Sequence, residues 1–217
     1  MKKLPITLSI FILIGILCVI IGFVFSNDFL LNGFIIIGVC ILLGLAVKIM
    51  DQLIDEIKAK SYRIYLIPLA IFIPSAMVYL ALTESPVIGM VIGTVIGLII
   101  AGKIDHPAYI ASIVLFIVLI CVIFLLKIIS VEISTFYIIP VAATGSFLDE
   151  FGHERWGAKN KIITFIFKHR FFLKIFAFVG VVAGFAQPIH LIGFLCFDIF
   201  YDLTEASFNL YGICKEA

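Results

Sequence analysis

Long apolar runs separated by short polar breaks dominate this chain, and their lengths set its expected architecture. The runs cover residues 5–25, 29–49, 64–82, 86–102, 108–129, 133–148, 171–187 and 189–210. At about 16–22 residues each, they are about the length that crosses ~30 Å of hydrocarbon as helices. In lipid a backbone must satisfy its own hydrogen bonds, and runs this long suit helices rather than barrel strands. The pattern predicts an all-α, polytopic transmembrane helical bundle of eight spans. The count falls to seven if Gln187-Pro188 only kinks one long final helix.

The polar breaks fall at Ser26-Asn27-Asp28, residues 50–63, Thr83-Glu84-Ser85-Pro86, residues 103–107, 128–132 and 149–170. They carry a charge asymmetry that orients the bundle. With eight spans and a cytoplasmic N-terminus, all 15 Lys and Arg residues except Lys127 fall on the inner side. The outer turns carry Asp28, Glu84 and Glu132 instead. Cytoplasmic loops are enriched in basic residues, so the expectation is a multi-pass protein of the cell membrane with its N-terminus cytoplasmic. Met1-Lys2-Lys3 before the apolar stretch Ile6–Phe25 resembles a signal peptide. That stretch is long for an h-region and no A-x-A site follows, so it reads as an uncleaved first helix.

Composition agrees with this reading. Mean hydropathy is +1.28, with 64% hydrophobic and 13% charged residues, which excludes an ordinary soluble core. Residues 1–217 are expected to form a single integral membrane domain, with 149–170 as a cytoplasmic loop containing a short interfacial helix around Ile162–Phe167. A net charge of +1 gives no reason to expect nucleic acid as a partner; membrane lipid is the expected one. The five cysteines are dispersed without a CxxC, so neither a disulfide framework nor a zinc knuckle is indicated.

Candidate chemistry lies in four acidic motifs, at Asp51/Asp55/Glu56, Asp105-His106-Pro107, Asp149-Glu150-Phe151-Gly152-His153-Glu154 and Asp198/Asp202. Each is expected at the end of, or within, a helix running inward. Asp51 and Asp55, Asp149 and His153, Glu150 and Glu154, and Asp198 and Asp202 are all four residues apart, which places each pair on one helix face. Paired anions repel unless a cation, a proton or a basic group lies between them. Oxygen-rich sets suit Mg²⁺ or Mn²⁺, and an added imidazole widens the choice.

Plainer readings compete at each motif. Lys48, Lys58 and Lys60 flank Asp51 and Asp55, as they would on a solvated helix end. Asp105-His106-Pro107 has the composition of a polar turn closed by proline. Asp198 and Asp202 differ, because aromatic and aliphatic residues surround them and no basic residue is close in sequence. They must be neutral, line a wet cavity, or meet a cation or a basic side chain from another helix. His190, two turns earlier on a similar face, is a candidate neighbour.

Gly89, Gly93 and Gly97 form a GxxxGxxxG ridge and Gly180 and Gly184 a GxxxG, spacings that let helices approach closely in lipid. Packing within the bundle is expected for both, rather than dimerisation. The basic, aromatic segment 155–174 reads as an anchor to anionic headgroups, with Arg155 and Lys159 as phosphate contacts in a sharper reading. No Walker A, GxSxG, HExxH or dinucleotide fingerprint is present.

Asp51-x3-Asp55 and Asp198-x3-Asp202 are similar in spacing to the Asp-rich motifs of the UbiA-type intramembrane prenyltransferases. That family holds Mg²⁺ and a prenyl diphosphate with these motifs. The asparagine of its first motif is missing here, and the rest of the chain shows no match. The DGxxAR signature of the CDP-alcohol phosphotransferases is absent as well.

The leading expectation is a divalent-metal-dependent enzyme acting on a lipid or isoprenoid phosphate at the cytoplasmic face. Asp51, Asp55, Asp149, His153, Asp198 and Asp202 would be its Mg²⁺ or Mn²⁺ ligands, Glu150 or Glu154 its acid–base group, and Arg155 and Lys159 its phosphate contacts. The alternatives are a cation- or proton-coupled transporter using Asp198 and Asp202, and a non-catalytic membrane assembly subunit.

Overall fold

A computed structural model describes residues 29–55, 64–83, 85–128, 132–156, 163, 166–167 and 169–210. The described residues form seven helices and no strand. In chain order these are α1 (Phe29–Asp55), α2 (Leu66–Thr83), α3 (Ser85–Ile100), α4 (Pro107–Leu125), α5 (Ile133–Trp156), α6 (Phe171–Val182) and α7 (Pro188–Leu210). The expected first span, 5–25, lies outside the described residues.

Three helices are long and apolar enough to cross a membrane: Asn32–Asp55, Leu66–Thr83 and Pro107–Leu125. Their surfaces support a membrane protein. On α4, Ile110, Val114, Ile117, Val118 and Val122 all point outward, an apolar stripe at helical spacing that water would penalise and lipid accepts. The bundle is therefore helical and membrane-like, as the apolar runs predict.

Local chemistry explains where the helices begin and end. Pro107 and Pro188 occupy the first positions of α4 and α7, where the missing N–H costs nothing. His106 Nδ1 accepts the Ala108 N–H at 3.2 Å, so Asp105-His106-Pro107 serves as a helix-starting turn. At the end of α6, Gly184 has φ 77, its N–H bonds the Val181 carbonyl, and the Phe185 N–H bonds the Gly180 carbonyl. This is a Schellman closure, which needs the left-handed conformation that glycine adopts freely. Residues 171–210 thus form two helices separated by a turn before Pro188. Gly184 of the expected second glycine ridge is a helix stop, and Gly180 has nothing within contact distance.

Pro74 sits inside α2, where it cannot donate to the Ala70 carbonyl one turn earlier. The Ser112 hydroxyl of α4 lies 3.2 Å from that carbonyl and 3.0 Å from its own Ala108 carbonyl. A neighbouring helix thus offers that carbonyl a share of one hydroxyl hydrogen, the other share going to Ala108.

The described residues divide into two compact units. One contains the described residues up to Tyr79, His106–Phe116 and those from Ile192 onward; the other contains Leu80–Asp105 and Ile117–Leu191. In the second unit, the α3 ridge lies along α5. A methyl group on Gly89, Gly93 or Gly97 would collide with the carbonyl oxygen of Thr135, Ile139 or Ala143 respectively. Both series rise by four residues, so the two helices run parallel and in register. The chain between α3 and α5 must therefore return to the starting side. α6 runs antiparallel to α5, with Phe176 beside Gly145 and Phe167 beside Gly152. In the first unit, Gly44 of α1 lies against the Phe197 carbonyl of α7 and Gly193 against Cys40 Sγ, so α1 and α7 are parallel too.

Candidate functional site

The parallel pair α1–α7 gathers ionisable side chains on facing surfaces. Small residues allow it, since Gly44 and Gly193 let the backbones approach where the helices meet. Further along, Lys48 Nζ lies 3.0 Å from Glu205 Oε2 and 4.8 Å from the Tyr201 ring centroid. The Tyr201 hydroxyl donates to Asp51 Oδ2 at 2.5 Å. Phe194, Phe197 and Tyr201 stack in series along α7. Asp198, one turn before Tyr201, is only 3% exposed, and Gln52 beside Asp51 is equally buried. Asp202 is half-buried and Asp55 is exposed at the end of α1.

The structure thus joins the first and fourth acidic motifs through Asp51 and Tyr201. It also brings a basic side chain to α7, because Lys48 of α1 pairs with Glu205. Glu205 escaped the sequence reading although the signal was present: it lies three residues after Asp202 and seven after Asp198, on the same helical face. Tyr201 was passed over as one aromatic among many. Among the described residues, α1 and α7 carry five carboxylates toward these ends (Asp51, Asp55, Asp198, Asp202 and Glu205) beside the Lys48 ammonium.

The third motif is organised differently, in the other unit. α5 continues as helix through Trp156, so Asp149–Glu154 are helical rather than part of a loop. The two carboxylate oxygens of Asp149 accept the Phe172 and Leu173 N–H groups at 3.0 and 2.8 Å. These are first-turn donors of α6, and Arg170, the residue at its N-cap, has φ 49 and makes no side-chain cap. Asp149 therefore caps α6 from outside, where a carboxylate also complements the helix dipole. Burial pushes its carboxyl up to about 6, against the opposing pull of the Leu173 and Phe172 N–H groups and of Arg170.

Glu150 lies between two cations, 3.8 Å from Lys103 Nζ and 3.8 Å from an Arg170 terminal nitrogen. His153 is exposed, as is Arg155, whose guanidinium lies 5.6 Å from the Phe151 ring centroid. Glu154 is on the same helix, and Lys159 lies outside the described residues.

Among the described residues, no three His, Cys, Asp or Glu side chains are grouped to hold a metal ion. Of the six expected ligands, Asp51, Asp55, Asp198 and Asp202 belong to one unit and Asp149 and His153 to the other. Comparison with protein-family models, curated proteins and solved structures finds no match.

Proposed function

We propose that this chain is a multi-pass cell-membrane protein of eight crossings, N-terminus cytoplasmic, whose α1–α7 pair handles a proton or small cation in transport. The observation that carries the reading is Asp198, buried within an apolar helix beside the contacts that tie Asp51 and Lys48 to α7. A carboxylate in hydrocarbon is costly, and such residues characteristically serve ion paths and proton relays. Lys48 acts as a tethered counter-ion here. It neutralises part of the acidic face through Glu205 and the face of the Tyr201 ring, and an arriving cation or proton competes for the same negative charge.

A hydrophobic carbodiimide tests this directly, because it reaches carboxyl groups shielded from water. Asp198 should be the modified residue in the purified protein, located by mass spectrometry, and its modification should block ion flux in proteoliposomes. Labelling that ignores Asp198, or that leaves the flux unchanged, contradicts the proposal.

A second reading, an enzyme of lipid phosphates using Mg²⁺ or Mn²⁺, draws on the basic groups around Asp149 and Glu150. Lys103 and Arg170 lie near these carboxylates at one end of the second unit, and Arg155 stands on the Phe151 ring of the same helix. Against it, Asp149 is engaged with α6 and Glu150 with Lys103 and Arg170. Metal-dependent release of phosphate from a prenyl diphosphate, lost in Glu150→Gln, would favour this reading over transport.

A further inference from the structure

Helix lengths in the second unit carry an inference about the lipid that this protein fits. α3 has 16 residues and α6 has 12, giving about 24 and 18 Å of helix at 1.5 Å per residue. The apolar part of α5, Ile133–Leu148, is likewise about 24 Å long. A typical hydrocarbon core is about 30 Å thick.

These helices cannot be extended at their inner ends, because one charged layer closes all three. Lys103 follows α3, Asp149 and Glu150 end the apolar part of α5, and Arg170 begins α6; the ion pairs and the α6 cap hold them together. At the opposite end, Glu132 immediately precedes α5 and is exposed. The register of the glycine ridge places the start of α3 one turn beyond Thr135, close to that level. α6 stops earlier still, at the Gly184 closure. Tilt shortens the thickness a helix can span, so it deepens this mismatch.

We infer that the α3–α5–α6 unit is matched to a hydrocarbon layer of about 24 Å, and that it thins the lipid beside it or selects short-chain lipid. The outward residues of α6, Phe171, Ile175, Phe178, Val179 and Val182, contact this thinned layer. The occupant of this surface is phospholipid with short acyl chains, and the inference stands whether or not the protein moves ions.

A Phe178→Trp substitution at this outward α6 position, in a Trp156→Phe background, reports on lipid next to this unit. The full-length protein would be reconstituted in phosphatidylcholines with myristoleoyl, oleoyl or erucoyl chains. Brominated oleoyl lipid then competes with each, and tryptophan quenching gives relative affinities. Myristoleoyl chains should bind roughly threefold or more tighter than oleoyl, with erucoyl weakest. Preference for oleoyl or erucoyl chains, or no dependence on chain length, overturns the inference.

Discussion

Replacing Gly93 with alanine should destabilise the protein although alanine is the better helix former. A methyl at position 93 overlaps the Ile139 carbonyl oxygen and stands 2.8 Å from Ala142 Cβ. The obstruction is α5 backbone, so the seam between α3 and α5 has to open. Overpacking of this kind costs about 1–3 kcal/mol. Opening the seam also weakens the flanking approaches at Gly89 and Gly97, where Cα–H···O contacts are worth about 0.5–1 kcal/mol each. Against these losses, the exchange gains about 1 kcal/mol in helix propensity. The balance is a net loss of about 1–4 kcal/mol. Gly180 provides a matched control, since a methyl there meets nothing within 4 Å. Gly180→Ala should be neutral or stabilising by up to about 1 kcal/mol. Unfolding from mild micelles by titration with dodecyl sulfate, followed by circular dichroism, measures both variants. Equal shifts would refute the parallel, glycine-mediated packing of α3 on α5, and so would greater damage from Gly180→Ala.

Two further substitutions probe single contacts by the same unfolding assay. Ser112→Ala should cost about 1–2 kcal/mol by stranding the Ala70 carbonyl; in a Pro74→Ala background, where a backbone N–H returns, most of that cost should vanish, and full additivity would refute the relay. Asp149→Ala should lower stability by about 1 kcal/mol through loss of the α6 cap. Its titration sets a pH trend as well: because the folded-state value of about 6 exceeds the ordinary 3.8, folding binds this proton more tightly. The stability contributed by the protonated form is complete below 3.8 and is lost as pH rises to about 6. Asp149→Asn should flatten that slope, and an unchanged pH profile would refute the assignment.

The sequence made the helical, membrane-like character legible because hydrocarbon leaves a chain little choice of backbone. It also foretold the break at Gln187-Pro188 as one of two options, and the intramolecular use of Gly89, Gly93 and Gly97. The outcome for Gly184 was not foreseen, because a GxxxG spacing does not say whether its second glycine packs a neighbour or ends its own helix. Asp149 illustrates a deeper limit. Its spacing to His153 suggested a ligand pair, yet the donors it satisfies belong to α6, more than twenty residues away, and local patterns do not encode such partners. Lys48 and Glu205 show the same limit, since each is one charge in an apolar helix until the parallel packing of α1 and α7 brings them within 3.0 Å. Pro74 and Ser112 show it for the backbone.

Ion flux through the reconstituted protein tests the central claim most directly. Proteoliposomes loaded with a pH-sensitive dye, under a potassium diffusion potential, should acidify or alkalinise faster than empty vesicles. Asp198→Asn should abolish the difference, whereas Asp105→Asn, at an exposed turn outside the α1–α7 face, should preserve it. If a Na⁺ or K⁺ tracer replaces the proton signal, the same pair of variants should separate in the same way. Wild-type protein that moves neither protons nor these cations, or an Asp198→Asn variant that moves them at the wild-type rate, would contradict the account.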